Sequence, residues 1–132
     1  MPDALETPIL LRVEEVFRTY GIDTARSIPI GNLRADLVAY GYMKGVIVLV
    51  RSGPTEFNVS FNAVTEAITL KAHAADALER ETVGVLLTTQ RVPDAVNLAL
   101  RDWGVTVIQV TADEDAWVRR FRQEIRDFAV VF

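Results

Sequence analysis

The chain contains no cysteine. Disulfides, thiolate nucleophiles and cysteine-ligated zinc are therefore excluded. Its one histidine, His73, excludes multi-histidine metal centres, so a metal here would be a hard cation such as magnesium, held by carboxylates. Positive charge is not in excess either: 14 basic and 18 acidic residues give a net charge of −4. Proteins that live on nucleic acid usually carry a basic excess, because phosphate neutralisation supplies much of the affinity, so any basic surface here is local. No stretch approaches the ~18 apolar residues of a membrane span; the longest strongly apolar run is Val46-Ile47-Val48-Leu49-Val50. The opening Met1-Pro2-Asp3-Ala4-Leu5-Glu6 has no basic region followed by an apolar one and does not read as a signal peptide. A cytoplasmic location with no membrane partner is the expectation. There is no phosphate loop and no G-x-G-x-x-G turn, which argues against a nucleotide-binding α/β domain.

What is present is the balance of a globular domain. The 132 residues are half hydrophobic and 24% charged, and a chain of this size buries roughly two thirds of its unfolded surface. No repeat, low-complexity tract or linker divides it, so residues 1–132 are expected to form a single domain.

Periodicity gives the order of elements. Leu10, Val13, Phe17 and Tyr20, widened by Leu11 and Val16, predict a helix over 8–20 that Gly21 stops. Residues 24–30 read as a strand that Pro29 confines to an edge. A strand over 33–40 alternates Leu33, Ala35, Leu37 and Ala39 against Arg34, Asp36, Val38 and Tyr40. A short reversal over 41–45 leads to 46–50, apolar on both faces and so a central strand. Phe57, Val59 and Phe61 alternate and either extend the sheet or cover it. An alanine-rich helix over 63–81, a strand over 83–87, a helix from Pro93 to Trp103 and a strand over 105–110 follow. Thr111-Ala112-Asp113-Glu114 reads as a capping box, opening a last helix with Trp117, Phe121, Ile125 and Phe128 on one face. Trp103 and Trp117 read as core or interface. An early hairpin and late parallel crossovers predict a mixed α/β sheet of about five strands with helices on both faces. A doubly wound sheet would need a helix within 24–51, where there is no room for one.

The stretch Ala35-Asp36-Leu37-Val38-Ala39-Tyr40, the reversal, and Val46 through Arg51-Ser52-Gly53 resemble the core of the PD-(D/E)XK nuclease superfamily, the restriction-endonuclease-like three-layer α/β/α fold. The resemblance extends over about 8–110. It implies an aspartate on the second strand of a hairpin, here Asp36, and an acid-x-lysine pair closing the third strand. Two carboxylates there hold magnesium, and the lysine orients the attacking water. The second acid falls on Leu49 and the lysine on Arg51. A first-helix glutamate of the family falls on Glu14 or Glu15, so the resemblance nominates Asp36 and Arg51 as catalytic and Asp36 with Glu15 as metal ligands. Two departures matter: Leu49 cannot bind metal, and Arg51 cannot give up a proton near neutral pH. Glu56 or Glu66 could stand in for the missing acid, and the spacing singles out neither.

Without the resemblance, Asp36 and Arg51 form a surface ion pair, and Glu14-Glu15 is the wet face of a helix. His73 is structural or solvated. Arg119, Arg120, Arg122 and Arg126 alternate with Glu124 and Asp127 as a solvated helix face rather than a phosphate site. The function expected is a non-catalytic nuclease-like domain serving in protein interaction, self-association or as an accessory to nucleic-acid processing. It would need no cofactor and bind nucleic acid weakly. The alternative is an active endonuclease using magnesium and a displaced second acid.

Overall fold

A strand with no polar face must be covered on both sides. In the computed structural model, which describes residues 6–41 and 43–129 and side chains as far as residue 126, the run at 46–50 is the middle strand of five. The elements are α1 (Glu6–Thr19), β1 (Asp23–Ile30), β2 (Leu33–Tyr40), β3 (Lys44–Arg51), α2 (Phe61–Leu78), β4 (Glu81–Thr88), α3 (Asp94–Arg101), β5 (Val105–Gln109) and α4 (Glu114–Ala129). The strands lie in the order β1-β2-β3-β4-β5. β1, β2 and β3 are antiparallel in turn, whereas β3, β4 and β5 run parallel, joined through α2 and α3. Val46, Val48 and Val50 pack with α1 and α4, and Ile47 and Leu49 pack with α2 and Leu100 of α3. The architecture is therefore the three-layer mixed sheet that the periodicity predicts.

Several details differ from expectation, each for a local reason. Phe57, Val59 and Phe61 make no strand. Asn58 forms a lone bridge with Arg91, and Phe61 opens α2, because the Ser60 hydroxyl accepts from the Ala63 N–H and caps the helix earlier than the alanines suggest. α2 ends at Leu78, so Glu81 belongs to β4. α4 is capped by Asp113, whose carboxylate accepts from the Ala116 N–H, while Thr111 only braces Asp113 from outside. Leu11, Tyr20 and Trp103 are exposed. Leu11 lies outside the buried stripe of α1, and Tyr20 and Trp103 fall beyond the ends of α1 and α3. Trp117 is in the core as expected. Tyr42 and the side chains of Asp127 and Phe128 lie outside the described residues.

One deviation shapes the site. Alternation in β2 slips at Asp36: Ala35 packs with the α2 layer, but Leu37 and Ala39 pack with the α1/α4 layer. Opposite Asp36, Ser27 of β1 adopts a left-handed φ of 53°, and pairing is interrupted there, between Arg26↔Leu37 and Ile28↔Ala35. The two strands thus turn over together, so the hairpin tip presents its other face to the sheet.

Two measurements check this packing. Phe17 and Phe121 are fully buried and meet edge to face, centroids 5.5 Å apart. Phe121→Ala lowers unfolding free energy by about 3–5 kcal/mol in urea denaturation, with the transition still cooperative. Glu79 closes α2 with a left-handed φ of 55°, which disfavours any residue with a β-carbon. Glu79→Gly raises stability by about 0.5–1 kcal/mol.

Candidate functional site

The ladder between β2 and β3 runs from Tyr40↔Gly45 only as far as Leu37↔Val48. Beyond that point β2 follows β1 away from β3. The Val50 N–H, left without a strand partner on that side, is taken by the Asp36 carboxylate at 2.8 Å. A side chain thus completes the backbone pairing where the sheet divides, which satisfies a buried donor. The opening is a cleft of about 400 Å³ lined by Glu6, Asn32, Leu33, Arg34, Asp36, Arg51 and Glu66.

Arg51, the last residue of β3, fills the middle of this cleft. Its guanidinium donates to Asp36 Oδ2 at 2.8 Å, to the Val50 carbonyl at 2.7 Å and to Glu66 Oε1 of α2. A planar fork with several donors suits two carboxylates at once better than a point charge would. Glu6, in the first turn of α1, is buried and accepts from both the N–H and the hydroxyl of Ser52, at 2.9 and 3.2 Å. The next residue is pinned too: Gly53 N–H donates to Thr89 Oγ1 at 2.9 Å, and the Thr89 hydroxyl donates back to the Gly53 carbonyl at 2.9 Å. The end of β3 is therefore held from α1, β2, α2 and the segment after β4.

Electrostatics in the cleft are dominated by burial. Burial pushes the Asp36 carboxyl above its ordinary range. The Val50 N–H and the Arg51 charge oppose that shift without cancelling it, and the nearby Glu6 carboxylate adds to it. Burial also works against the charge on Arg51, but Glu66 and Asp36 outweigh it and hold the guanidinium protonated. The cluster is thus an ion network whose carboxylate pays a desolvation cost that its partners only partly return.

Of the residues nominated from sequence, Asp36 and Arg51 meet directly, and Glu66, not Glu56, joins them. Glu56 is exposed on the segment between β3 and α2 and does not line the cleft. Glu15 does not reach Asp36: it binds Arg12 on the outer face of α1, while Glu14 binds Arg26 of β1. The helix carboxylate in the cleft is Glu6, nine residues and roughly 13 Å further up the helix. Nothing in the local sequence marks Glu6 except its place in a first helical turn, where acids are common for their own reasons. His73 is exposed on α2, as expected of a solvated residue, beside a groove at the β1–β2 turn.

These residues do not fit a divalent cation. The space between Asp36 and Glu66 is spanned by a permanent cation, and Glu6 is committed to Ser52. Among the described residues, no three histidine or acidic side chains are grouped to hold a metal.

No protein-family model matches the chain, and no curated protein matches it in sequence. Solved structures do match in shape. A protein of unknown function, AF1548, superposes with a TM-score of 0.63 at 10% identity over 84% of this chain. A repair endonuclease from Pyrococcus abyssi gives 0.60 at 12% identity over 83%. The protein VC1899 from Vibrio cholerae gives 0.58 at 12% identity over 89%. The fold is restriction-endonuclease-like. The chain spans 63%, 47% and 31% of the lengths of those three proteins, so it corresponds to one part of each. Within this nuclease-like fold Asp36 stands on the second strand of the hairpin, and Leu49 and Arg51 stand on the third. Leu49 is 1% exposed and packs with the α2 layer.

Three substitutions test this geometry. Leu49→Glu places a charge in apolar packing and lowers stability by about 3–5 kcal/mol at neutral pH, read by urea denaturation; an unchanged midpoint would contradict the packing. Arg51→Met leaves Asp36 and Glu66 without a cationic partner in a half-buried cleft and costs about 1–3 kcal/mol. The pH dependence of Asp36 has a definite sign. Its folded pKa lies above the ordinary 3.8, so the folded state binds the proton more tightly. Its contribution to stability is full below the unfolded pKa and is lost as pH rises through the folded pKa. Relative to Asp36→Asn, the native protein is therefore most favoured in acid and loses ground as pH climbs towards neutrality, measured by paired denaturation curves from pH 3 to 7.

Proposed function

We propose that this chain is a non-catalytic nuclease-like domain, serving in protein interaction or as an accessory to nucleic-acid processing. The observation that carries the proposal is the position of Arg51. Metal-dependent phosphodiester hydrolysis needs an ion between carboxylates and a group that handles the proton of the attacking water. Here a guanidinium stands between Asp36 and Glu66. Unlike a lysine, whose pKa falls readily on burial, it cannot be brought to release its proton near neutral pH. A cation entering the cleft would have to displace a charge-assisted contact from each carboxylate. The apolar Leu49 offers no replacement ligand.

The second reading is an active magnesium-dependent endonuclease in which Glu66 supplies the displaced acid. The convergence of Glu66 on Asp36 across Arg51 favours it. So does the shared fold with a protein described as a repair endonuclease, of which this chain covers 47%.

A nuclease assay with magnesium and with manganese separates the two. The native chain is expected to cut single- and double-stranded DNA and RNA no faster than folded Asp36→Ala. Arg51→Lys replaces the fork with a point charge that cannot serve both carboxylates, and it is expected to gain measurable manganese binding by calorimetry. Metal-dependent cleavage by the native chain that disappears in folded Asp36→Ala would establish the second reading instead.

A further inference from the structure

The arginines of α4 alternate with acids in sequence, but the helix sorts them in space. Arg119, Arg122 and Arg126 line one cleft between α4 and α1, together with Arg12, Asp115 and Val118. Glu124 lies elsewhere: it accepts from the Thr106 hydroxyl at 3.4 Å and lines a depression beside β4 and β5. Arg120 turns towards Asp94 and Arg101. Four arginines and one aspartate line the cleft, and Glu15 and Glu114 sit against Arg12, so the group keeps a positive balance of about +1 on a chain whose net charge is −4.

The row is not neutralised from within. Arg12 is held by Glu15 and Glu114, each at 2.9 Å. Arg119, Arg122 and Arg126 are exposed and have no ion-pair partner among the described residues. Like charges three and four residues apart on one helical face repel by a few tenths of a kcal/mol per pair. A ligand that neutralises the row relieves that repulsion.

We propose that this cleft binds the phosphate backbone of nucleic acid without reading its sequence. From residue 119 to 126 a helix rises about 10 Å, which spreads the three side chains along a strand so that they reach neighbouring phosphates rather than a single one. The three free arginines therefore meet about one phosphate each. An acidic protein partner fits less well, because protein interfaces centre on buried aromatic or apolar anchors, and Val118, the one apolar residue lining the cleft among the described residues, is itself buried. The surface lies on the α1/α4 face and shares no residue with the Asp36 cleft. It holds whether or not that cleft is catalytic.

The test is fluorescence anisotropy with a labelled 20-base-pair duplex of mixed sequence, beside a poly-glutamate peptide of similar charge. The full chain is expected to bind the duplex at 50 mM salt. Affinity should fall about 40-fold by 200 mM, as three neutralised phosphates require. Arg119→Glu/Arg122→Glu/Arg126→Glu should lose at least 30-fold, and the matching glutamine variant an intermediate amount. Both should keep the native melting cooperativity, since these side chains are exposed. Either no duplex binding at 50 mM salt or native affinity in the triple variants would overturn the proposal. Preference for poly-glutamate over the duplex would replace nucleic acid with an acidic protein partner.

Discussion

The structure turns on a single backbone donor. Where β2 leaves β3, the Val50 N–H is paired by the Asp36 carboxylate rather than by a strand carbonyl. That pairing lets the sheet divide without stranding a buried donor, but it places a carboxylate where water is scarce. A lone buried carboxylate is costly, so a cation must follow. Arg51 supplies it, and Arg51 in turn needs Glu66 to balance a second edge of its guanidinium. The cluster is not a reservoir of stability, because burial of Asp36 outweighs what its partners return. Its effect is geometric: it fixes the angle of the hairpin to β3 and occupies the cleft that results.

Much of this fold was legible because its patterns are strong. A five-residue run apolar on both faces can only be central, and the short reversal before it requires a hairpin. The long alanine-rich segment after it requires a crossover on the parallel side. What was not legible depended on contacts distant in sequence. The slip at Asp36 is invisible in 33–40, where strict alternation fits Leu33, Ala35, Leu37 and Ala39; only the left-handed Ser27 across the ladder reveals it. Leu11 was read as widening the buried stripe of α1, and Trp103 as core or interface; both are exposed, so Leu11 is off the stripe and Trp103 is not core.

The site was half legible. The pairing of Asp36 with Arg51 follows from adjacent strand ends. Glu66 stood as one of two alternatives until α2 was placed over β3. Glu15 was chosen for its place on the first helix, but helical rotation turns it outward to Arg12, and the carboxylate that reaches the cleft is Glu6. The arginines of α4 show the reverse case. Their alternation with Glu124 and Asp127 read as a solvated helix face, and Arg119, Arg122 and Arg126 are indeed exposed, on a surface that Glu124 does not share. A chain acidic overall thus carries a basic row, while the carboxylates of Asp36 and Glu66 are balanced by Arg51.

The central claim is that Arg51 holds the place between Asp36 and Glu66. Backbone NMR during a titration with manganese tests it most directly, since a bound paramagnetic ion broadens nearby amides whether or not any reaction follows. The account predicts that the Val50 and Ser52 amides keep their intensity relative to exposed acidic surface positions up to millimolar manganese. Selective loss of the Val50 signal at micromolar manganese would show that the ion displaces the guanidinium, and would contradict the account.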